Sequence, residues 1–151
     1  MISTVDWVKI VSSSTTKERF LSLTNLTEVA VRFSETDAMG VVHFNRYFLF
    51  FEEGFVSFLN SLGSSPAEWL KRDVVFPVVE AHCAYKESAK FGDVVQVTTA
   101  IESRSEHSLT FVHEVFRKGD QRLLAHGKLV RVCFDVRKRE KVPVEEIFKR
   151  Q

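Results

Sequence analysis

The sequence predicts an α+β protein in which a mainly antiparallel sheet of about five strands accompanies one long helix. Apolar residues spaced at three and four positions in the second quarter of the chain indicate the helix. One segment before it and four after it are apolar or alternate with a period of two, which indicates strands. The 151 residues, of which 44% are hydrophobic, are enough for one domain with a buried core.

The chain begins with residues 1–25, which show no clear hydrophobic period and are interpreted as an N-terminal extension. The domain itself is predicted at residues 26–151. Its first strand follows the extension directly. A strand is predicted there because Val29, Val31 and Phe33 alternate with small or polar residues. This alternation is typical of a strand with one buried face.

The long helix is predicted to start with Asn45 as its N-cap and to stop at Gly63, which gives about 18 residues and roughly 27 Å. Its apolar stripe consists of Phe44, Tyr47, Phe48, Phe51, Phe55, Phe58, Leu59 and Leu62. Leu49 and Phe50 lie off this stripe, so the helix is apolar on more than one side. We therefore expect either a sheet wrapped around it or a subunit interface that covers it.

Beyond the long helix, Ser65 and Glu68 form the pattern of a capping box, which predicts a short helix through about Lys71. Four strands are then predicted at residues 74–85, 94–103, 108–117 and 121–136. The last two form a hairpin, because Lys, Gly and Asp separate them at 118–120. A short helical turn is predicted at 144–150.

The composition disfavours several classes of function. Lys and Arg number 21 against 20 Asp and Glu, so no net field would draw the protein onto nucleic acid or an anionic membrane. No apolar run reaches the roughly 18–20 residues that cross a bilayer, and the N-terminus lacks the pattern of a secretory signal, so we expect a cytoplasmic protein. Cys83 and Cys133 lie in apolar alternating segments, as reduced, buried thiols do.

The histidines and glycines do not indicate a metal or nucleotide site. The five histidines form no His-x-x-x-His pair, and the cysteines form no CxxC motif. The six glycines are scattered, without a phosphate-binding loop or a dinucleotide fingerprint. Nucleotide hydrolysis and hydride transfer are therefore disfavoured.

The segment at residues 32–47, between the first strand and the long helix, suits a reaction that develops negative charge. Free N–H groups at a helix N-terminus stabilise an oxyanion, and Gly40 lets a ligand approach the backbone closely. Asp37 could attack an acyl carbon held there, or deprotonate a water that attacks it. A thioester suits both routes because a thiolate leaves readily. Alternatively, Asp37 only shapes the turn.

This segment contains Asp37, Gly40, Val41, Val42, His43, Phe44, Asn45 and Tyr47. With these residues it resembles the hotdog-fold thioesterases of the 4-hydroxybenzoyl-CoA thioesterase family. The family pattern is Asp, two residues, Gly, two apolar residues, an aromatic pair, and then Asn and Tyr nearby. The resemblance covers residues from about 27 to 136. Within the family the chain looks most like the cyanobacterial 1,4-dihydroxy-2-naphthoyl-CoA thioesterases of phylloquinone synthesis, which share a similar segment at 76–79.

The resemblance implies a hotdog fold that hydrolyses an acyl-CoA. It implies Asp37 as the nucleophile or general base, and the N–H of Phe44 as the group that polarises the thioester carbonyl. The implied oxyanion and substrate-binding set is completed by Gly40, Val42, His43 and Tyr47. No metal and no cofactor are implied, since CoA is part of the substrate. The implied assembly is a homodimer with the acyl group in a groove between subunits, and such dimers often pair into homotetramers.

The candidates for binding CoA depart from the family. Arg104 and His107 stand where its best-known bacterial member has a basic cluster for the CoA phosphates, but Glu106 between them has the wrong charge. Lys86 and Lys90 are further CoA-binding candidates.

Glu52 and His43 are two further candidate site residues, and the motif leaves other functions open. Glu52 is a secondary catalytic candidate, because related hotdog enzymes use an acid on the helix. His43 stands where the family usually has an aromatic residue, and is interpreted as a pocket residue that tunes contacts with the acyl group. A broad-range or aliphatic acyl-CoA thioesterase would carry the same motif, and a non-catalytic acyl-CoA binding protein would lose nothing when Asp37 is changed to Asn. A dehydratase is disfavoured because its motif is absent.

Overall fold

The computed structural model describes residues 23–147, so residues 1–22 of the predicted extension lie outside the described part. The helices are α1 (Tyr47–Ser61), α2 (Pro66–Lys71) and α3 (Val144–Ile147). The strands are β1 (Thr24–Ala30), β2 (Val74–Val75), β3 (Val78–Tyr85), β4 (Val94–Arg104), β5 (Ser108–Arg117), β6 (Leu123–Val132), β7 (Phe134–Asp135) and β8 (Glu140–Lys141). Short 3-10 turns occupy Phe33–Glu35 and Phe44–Arg46.

Five strands form one antiparallel sheet in the order β1-β4-β5-β6-β3, which confirms the predicted α+β fold with one long helix. A second, smaller sheet has the order β2-β7-β8. The predicted strand at 74–85 is therefore two strands, which belong to different sheets on either side of Phe76 and Pro77. Proline has no N–H to donate to a ladder, and its ring restricts the chain at this crossing. The hairpin between β5 and β6 is confirmed.

The long helix α1 packs along the sheet and is covered mainly by the chain's own core. Its buried side chains include Phe50, Phe51, Phe55 and Phe58, and only Leu49 among its large apolar residues is clearly exposed. Gly127 on β6 lies directly under the ring of Phe51, where a Cβ would collide with the ring. The sheet therefore covers most of the apolar surface of the helix, as one of the two expectations from the sequence stated.

The ends of α1 follow the sequence signals only in part. The expectation that Asn45 is the N-cap was wrong, because Asn45 lies inside the 3-10 turn and Arg46 precedes the α-helix. Gly63 was predicted correctly as the stop. It has a φ of 81°, its N–H donates to the Asn60 carbonyl at 3.0 Å, and the N–H of Ser64 donates to the Leu59 carbonyl at 3.1 Å. These two bonds form a Schellman motif.

The capping box at α2 is confirmed. The Glu68 N–H donates to Ser65 Oγ, and the Ser65 N–H donates to Glu68 Oε2, both at 3.2 Å. Strand β1, by contrast, ends at Ala30, earlier than the alternation predicted. Phe33 is 74% exposed, because the chain has already left the sheet and entered a 3-10 turn there.

A buried polar pair lies at a close contact between α1 and the sheet. Thr99 Oγ1 and His113 Nδ1 are 2.9 Å apart, beside Gly54 of the helix. Within residues 23–147, His113 Nε2 has no hydrogen-bond partner. Burial, followed by the charges of Arg131 and His126, lowers the pKa of His113 to about 3. The ring is therefore neutral in the folded protein at neutral pH.

No helix in the described part of the chain is long and apolar enough to cross a membrane.

Candidate active site

A cleft of about 340 Å³ opens at the N-terminal end of α1. The residues that line it are Asp37, Met39, Val41, Val42, His43, Phe44, Tyr47, Tyr85, Lys86, Glu87 and Ser88. One wall is the segment that joins β1 to α1, and the other is the end of β3 with the residues that follow it. The cleft thus brings together six of the residues that the sequence singled out, namely Asp37, Val42, His43, Phe44, Tyr47 and Lys86.

Asp37 shapes a tight turn and also presents a carboxylate to the cleft. Its N–H donates to the Val41 carbonyl at 2.8 Å, its carbonyl accepts from the Gly40 N–H at 3.0 Å, and its Oδ1 accepts from the Met39 N–H at 2.8 Å. Gly40 has a φ of 77°, the left-handed conformation that glycine adopts without strain. Among the described residues, no donor bonds to Asp37 Oδ2. One oxygen therefore holds the turn and the other is free for a ligand.

The start of the helix supplies free donors beside this carboxylate. His43 is extended, with φ −60° and ψ 138°, and the Arg46 N–H donates to its carbonyl at 2.9 Å. The N–H groups of Phe44 and Asn45 have no acceptor anywhere in residues 23–147. Unpaired N–H groups at the positive end of a helix are suited to stabilise an oxyanion.

The tautomer of His43 follows from its neighbour. His43 Nδ1 lies 2.7 Å from Asn45 Oδ1, and an amide oxygen can only accept, so Nδ1 carries the proton. In the neutral ring, Nε2 is then a hydrogen-bond acceptor. The ring also packs against Phe44, with centroids 4.8 Å apart.

Two tyrosines connect the cleft walls. The buried Tyr47 hydroxyl accepts from the Ala89 N–H at 3.2 Å, and so holds the chain that follows β3. Tyr85 donates from its hydroxyl to the Phe44 carbonyl at 2.8 Å and contacts Tyr47 edge to face, with centroids 5.3 Å apart. The sequence did not indicate Tyr85, because it is 41 residues from Phe44 and no local pattern relates them.

Arg117 on β5 fixes the far wall. Its Nη2 donates to the Ser88 carbonyl at 2.6 Å, its Nε to Asp93 Oδ2 at 3.3 Å, and its Nη1 to Asp120 Oδ2 at 2.7 Å. The hydrogen bond with Asp120 is the largest cause of a raised pKa for this guanidinium. This set of bonds limits how far the wall can move.

Glu52, the secondary catalytic candidate, does not line this cleft. Its carboxylate forms a short ion pair with Arg131 Nη2, while Arg131 Nη1 donates to the Phe76 carbonyl at 3.1 Å. The Arg131 guanidinium also lies over the ring of Phe55, 3.8 Å from its centroid. The contacts of Glu52 in this chain are therefore those of a partner for a buried cation.

The four CoA-binding candidates fall into two groups. Lys86 lines the cleft, and the backbone of Lys90 bridges to Val41 at its edge. Lys90 lies just before the start of β4, whereas Arg104 and His107 lie at and beyond its end. This strand is roughly 33 Å long at 3.3 Å per residue. There Arg104 pairs with Glu145 at 3.2 Å, and His107 lies 3.8 Å from Glu106. One chain does not bring the two groups together.

Comparisons with known proteins agree with the fold. A family model described as "Thioesterase-like superfamily" matches residues 31–151. The 1,4-dihydroxy-2-naphthoyl-CoA hydrolase of Synechocystis is 28% identical over 79% of this chain and 87% of its own length. The acyl-CoA thioester hydrolase YbgC of Escherichia coli is 28% identical over 71% of this chain and 79% of its own. The solved structure of DHNA-CoA thioesterase from Staphylococcus aureus superposes with a TM-score of 0.77, at 26% identity over 82% of each chain.

Proposed function

The chain belongs to the thioesterase-like superfamily, and from that premise we propose that it hydrolyses an aromatic acyl-CoA at the cleft beside Asp37. Its homologues and structural neighbours include acyl-CoA thioesterases, and the proposal concerns the acyl group and the catalytic residue. One observation carries the proposal. Asp37 and Phe44 line the same cleft, and within residues 23–147 neither Asp37 Oδ2 nor the Phe44 N–H has a hydrogen-bond partner, so a carboxylate and a donor for an oxyanion are both available there.

In the proposed reaction, the thioester carbonyl oxygen accepts hydrogen bonds from the N–H groups of Phe44 and Asn45. Asp37 either adds to the carbonyl carbon, giving an anhydride that water hydrolyses, or removes a proton from water as that water adds. In both routes the carbon–sulfur bond breaks, and CoA leaves as a thiolate that takes up a proton. The donors stabilise the charge on the oxygen as the carbonyl carbon becomes tetrahedral.

The aromatic class of substrate is supported by the lining of the cleft. The rings of His43, Phe44 and Tyr85 border it, and flat apolar surfaces of this kind suit an aryl group. The Synechocystis relative is named for a bicyclic aryl substrate. We propose 1,4-dihydroxy-2-naphthoyl-CoA of phylloquinone synthesis as the first substrate to test. A broad-range or aliphatic acyl-CoA thioesterase and a non-catalytic acyl-CoA binding protein are the alternatives.

We also propose that the protein is a cytoplasmic homodimer and that two such dimers pair into a homotetramer. Strand β3 is at an edge of the sheet, and most of its residues are exposed on both faces, including Val78 and Val79. A second copy could add a strand there and complete the groove. Lys86 and Lys90 would then meet the CoA phosphates from one subunit, and Arg104 and His107 would reach them only from another.

The test measures thiol release from dihydroxynaphthoyl, benzoyl and straight-chain CoA thioesters by the native protein and by Asp37→Asn. Asparagine keeps an acceptor oxygen for the turn but is neither a nucleophile nor a base. We expect kcat to fall by about 10²–10⁴-fold. The matched control is Asp135→Asn, because Asp135 Oδ1 accepts from the N–H groups of Arg137 and Lys138 at 2.9 and 2.8 Å in a turn outside the cleft.

The outcomes separate the alternatives. Turnover of the bicyclic substrate that is lost in Asp37→Asn and kept in Asp135→Asn supports the proposal. Full turnover in Asp37→Asn would make Asp37 a turn residue, and preference for straight chains would replace the aromatic assignment. Binding without turnover on the whole panel would indicate a binding protein. A single turnover in oxygen-labelled water then distinguishes the two routes, since label in Asp37 requires the anhydride.

A further inference from the structure

We propose that Tyr85 is a positioning residue, whose hydroxyl fixes the first peptide groups of the helix so that their free N–H groups face the reacting carbonyl. This inference rests on the proposed function, because it assigns a role within the same oxyanion site. Tyr85 is the last residue of β3, and its Oη donates to the Phe44 carbonyl at 2.8 Å. It therefore connects the sheet to the start of the helix.

At the helix start, no side chain within residues 23–147 forms the cap that would normally fix it. Neither the side chain of His43, before the 3-10 turn, nor that of Arg46, before the α-helix, accepts a hydrogen bond from the N–H groups of the turn. The amide of Asn45, which could cap a helix, contacts the His43 ring instead. Capping would consume the donors that an oxyanion needs. The bond from Tyr85 holds the turn through a carbonyl and leaves those donors free.

The position of the bond explains how it would act on the donors. A peptide group is planar, so fixing the Phe44 carbonyl also fixes the N–H of Asn45, which belongs to the same group. A hydrogen bond to the carbonyl also polarises that group and makes its N–H a better donor. The N–H of Phe44 belongs to the preceding group, whose carbonyl is held by the Arg46 N–H at 2.9 Å.

Tyr85 is itself well fixed as a donor. Its ring packs edge to face on Tyr47, whose hydroxyl bonds to the Ala89 backbone. Partial burial, followed by the neighbouring Cys83 thiol, raises the pKa of Tyr85 to about 12, so the hydroxyl keeps its proton at neutral pH. Tyr85 is still 44% exposed, so loss of its hydroxyl should leave the core packing unchanged.

The experiment compares Tyr85→Phe with the native protein on the substrate that is turned over best. We expect kcat to fall about tenfold with KM nearly unchanged, because one hydrogen bond acts on the transition state and not on substrate binding. The matched control is Ser61→Ala, which removes a hydroxyl that donates to the Phe58 carbonyl at 2.6 Å, near the other end of the same helix. That variant should keep its kcat.

A second measurement does not depend on activity. Backbone amide relaxation in the ligand-free protein gives order parameters for residues 43–46. We expect them to fall in Tyr85→Phe and to stay at native values in Ser61→Ala. Unchanged order parameters, an unchanged kcat, or a loss seen only in KM would each overturn the inference. If the native protein turns over nothing, the proposed function fails, and the order parameters alone decide whether Tyr85 fixes the turn.

Discussion

Gly54→Ala tests the packing of α1 against the sheet. The close contact predicts that the substitution lowers stability, whereas helix propensity predicts that it raises stability. Ala in place of Gly inside a helix normally stabilises by about 1 kcal/mol. Here a Cβ would lie inside van der Waals distance of Thr99 Oγ1, 2.9 Å from Val97 Cγ1 and 3.2 Å from His113 Nδ1. Overpacking a filled core costs about 1–3 kcal/mol. Disturbing the bond between Thr99 and His113 adds about 1 kcal/mol.

We therefore expect Gly54→Ala to lower the free energy of unfolding by about 2 kcal/mol, and Tm by about 4–8 °C. Urea denaturation at one fixed protein concentration measures the change, with an unchanged m-value as the sign that only stability has moved. The control Glu53→Ala changes an exposed neighbour on the same helix and should stay within about 0.5 kcal/mol of the native protein.

A double-mutant cycle identifies the cause. Thr99→Ala removes the atom that the new Cβ would meet first, so it should cost less in the Gly54→Ala background than in the native protein. If Gly54→Ala is as stable as the native protein or more so, the helix has room to shift. The close packing described here would then be wrong.

The remaining predictions concern two buried groups. The pKa of His113 is about 3 in the folded protein and 6.5 in the unfolded chain, so the unfolded chain binds a proton between these pH values and the folded protein does not. The free energy of unfolding should therefore fall as the pH drops from 6.5 to 3, by at most about 1.4 kcal/mol per pH unit. Urea denaturation across that range should show a shallower slope in His113→Gln, and an equal slope in both proteins would refute this. Glu52→Gln should lower the free energy of unfolding by about 1–2 kcal/mol relative to Glu53→Gln, because it leaves the buried Arg131 without an anion. The effect is no larger because Glu52 is half exposed and water screens the ion pair. Thiol release by the same variant checks the secondary catalytic role, which full turnover would dismiss.

The sequence predicted the main elements because their signals are local. The apolar stripe of α1, the glycine at its end and the capping box of α2 each depend on residues within a few positions of one another. The start of α1 was missed for a physical reason. The polar side chain of Asn45 contacts the His43 ring and not a backbone N–H group. The sequence signal for an N-cap is a residue type, and it does not show which group that side chain will bond to.

Apart from Lys86, the site was predicted on one wall only. The segment from Asp37 to Tyr47 is continuous and carries a family pattern, whereas Tyr85 and Ser88 reach the cleft through the pairing of β3 with β6. Arg117 acts on the cleft from a third strand, through the Ser88 carbonyl. Long-range contacts of this kind depend on strand register and on the packing of two tyrosine rings, and neither leaves a periodic trace in the sequence.

The buried Tyr47 limits how this protein can change. Its ring belongs to the hydrophobic core, while its hydroxyl supports the cleft wall through the Ala89 N–H. Substitutions that would improve packing at this position remove the hydroxyl, and those that would reshape the wall disturb the core. Stability of the core and shape of the cleft wall therefore both depend on one side chain. Substitutions at the exposed residues Met39 and Phe44 can change the cleft for a new acyl group with less effect on the core.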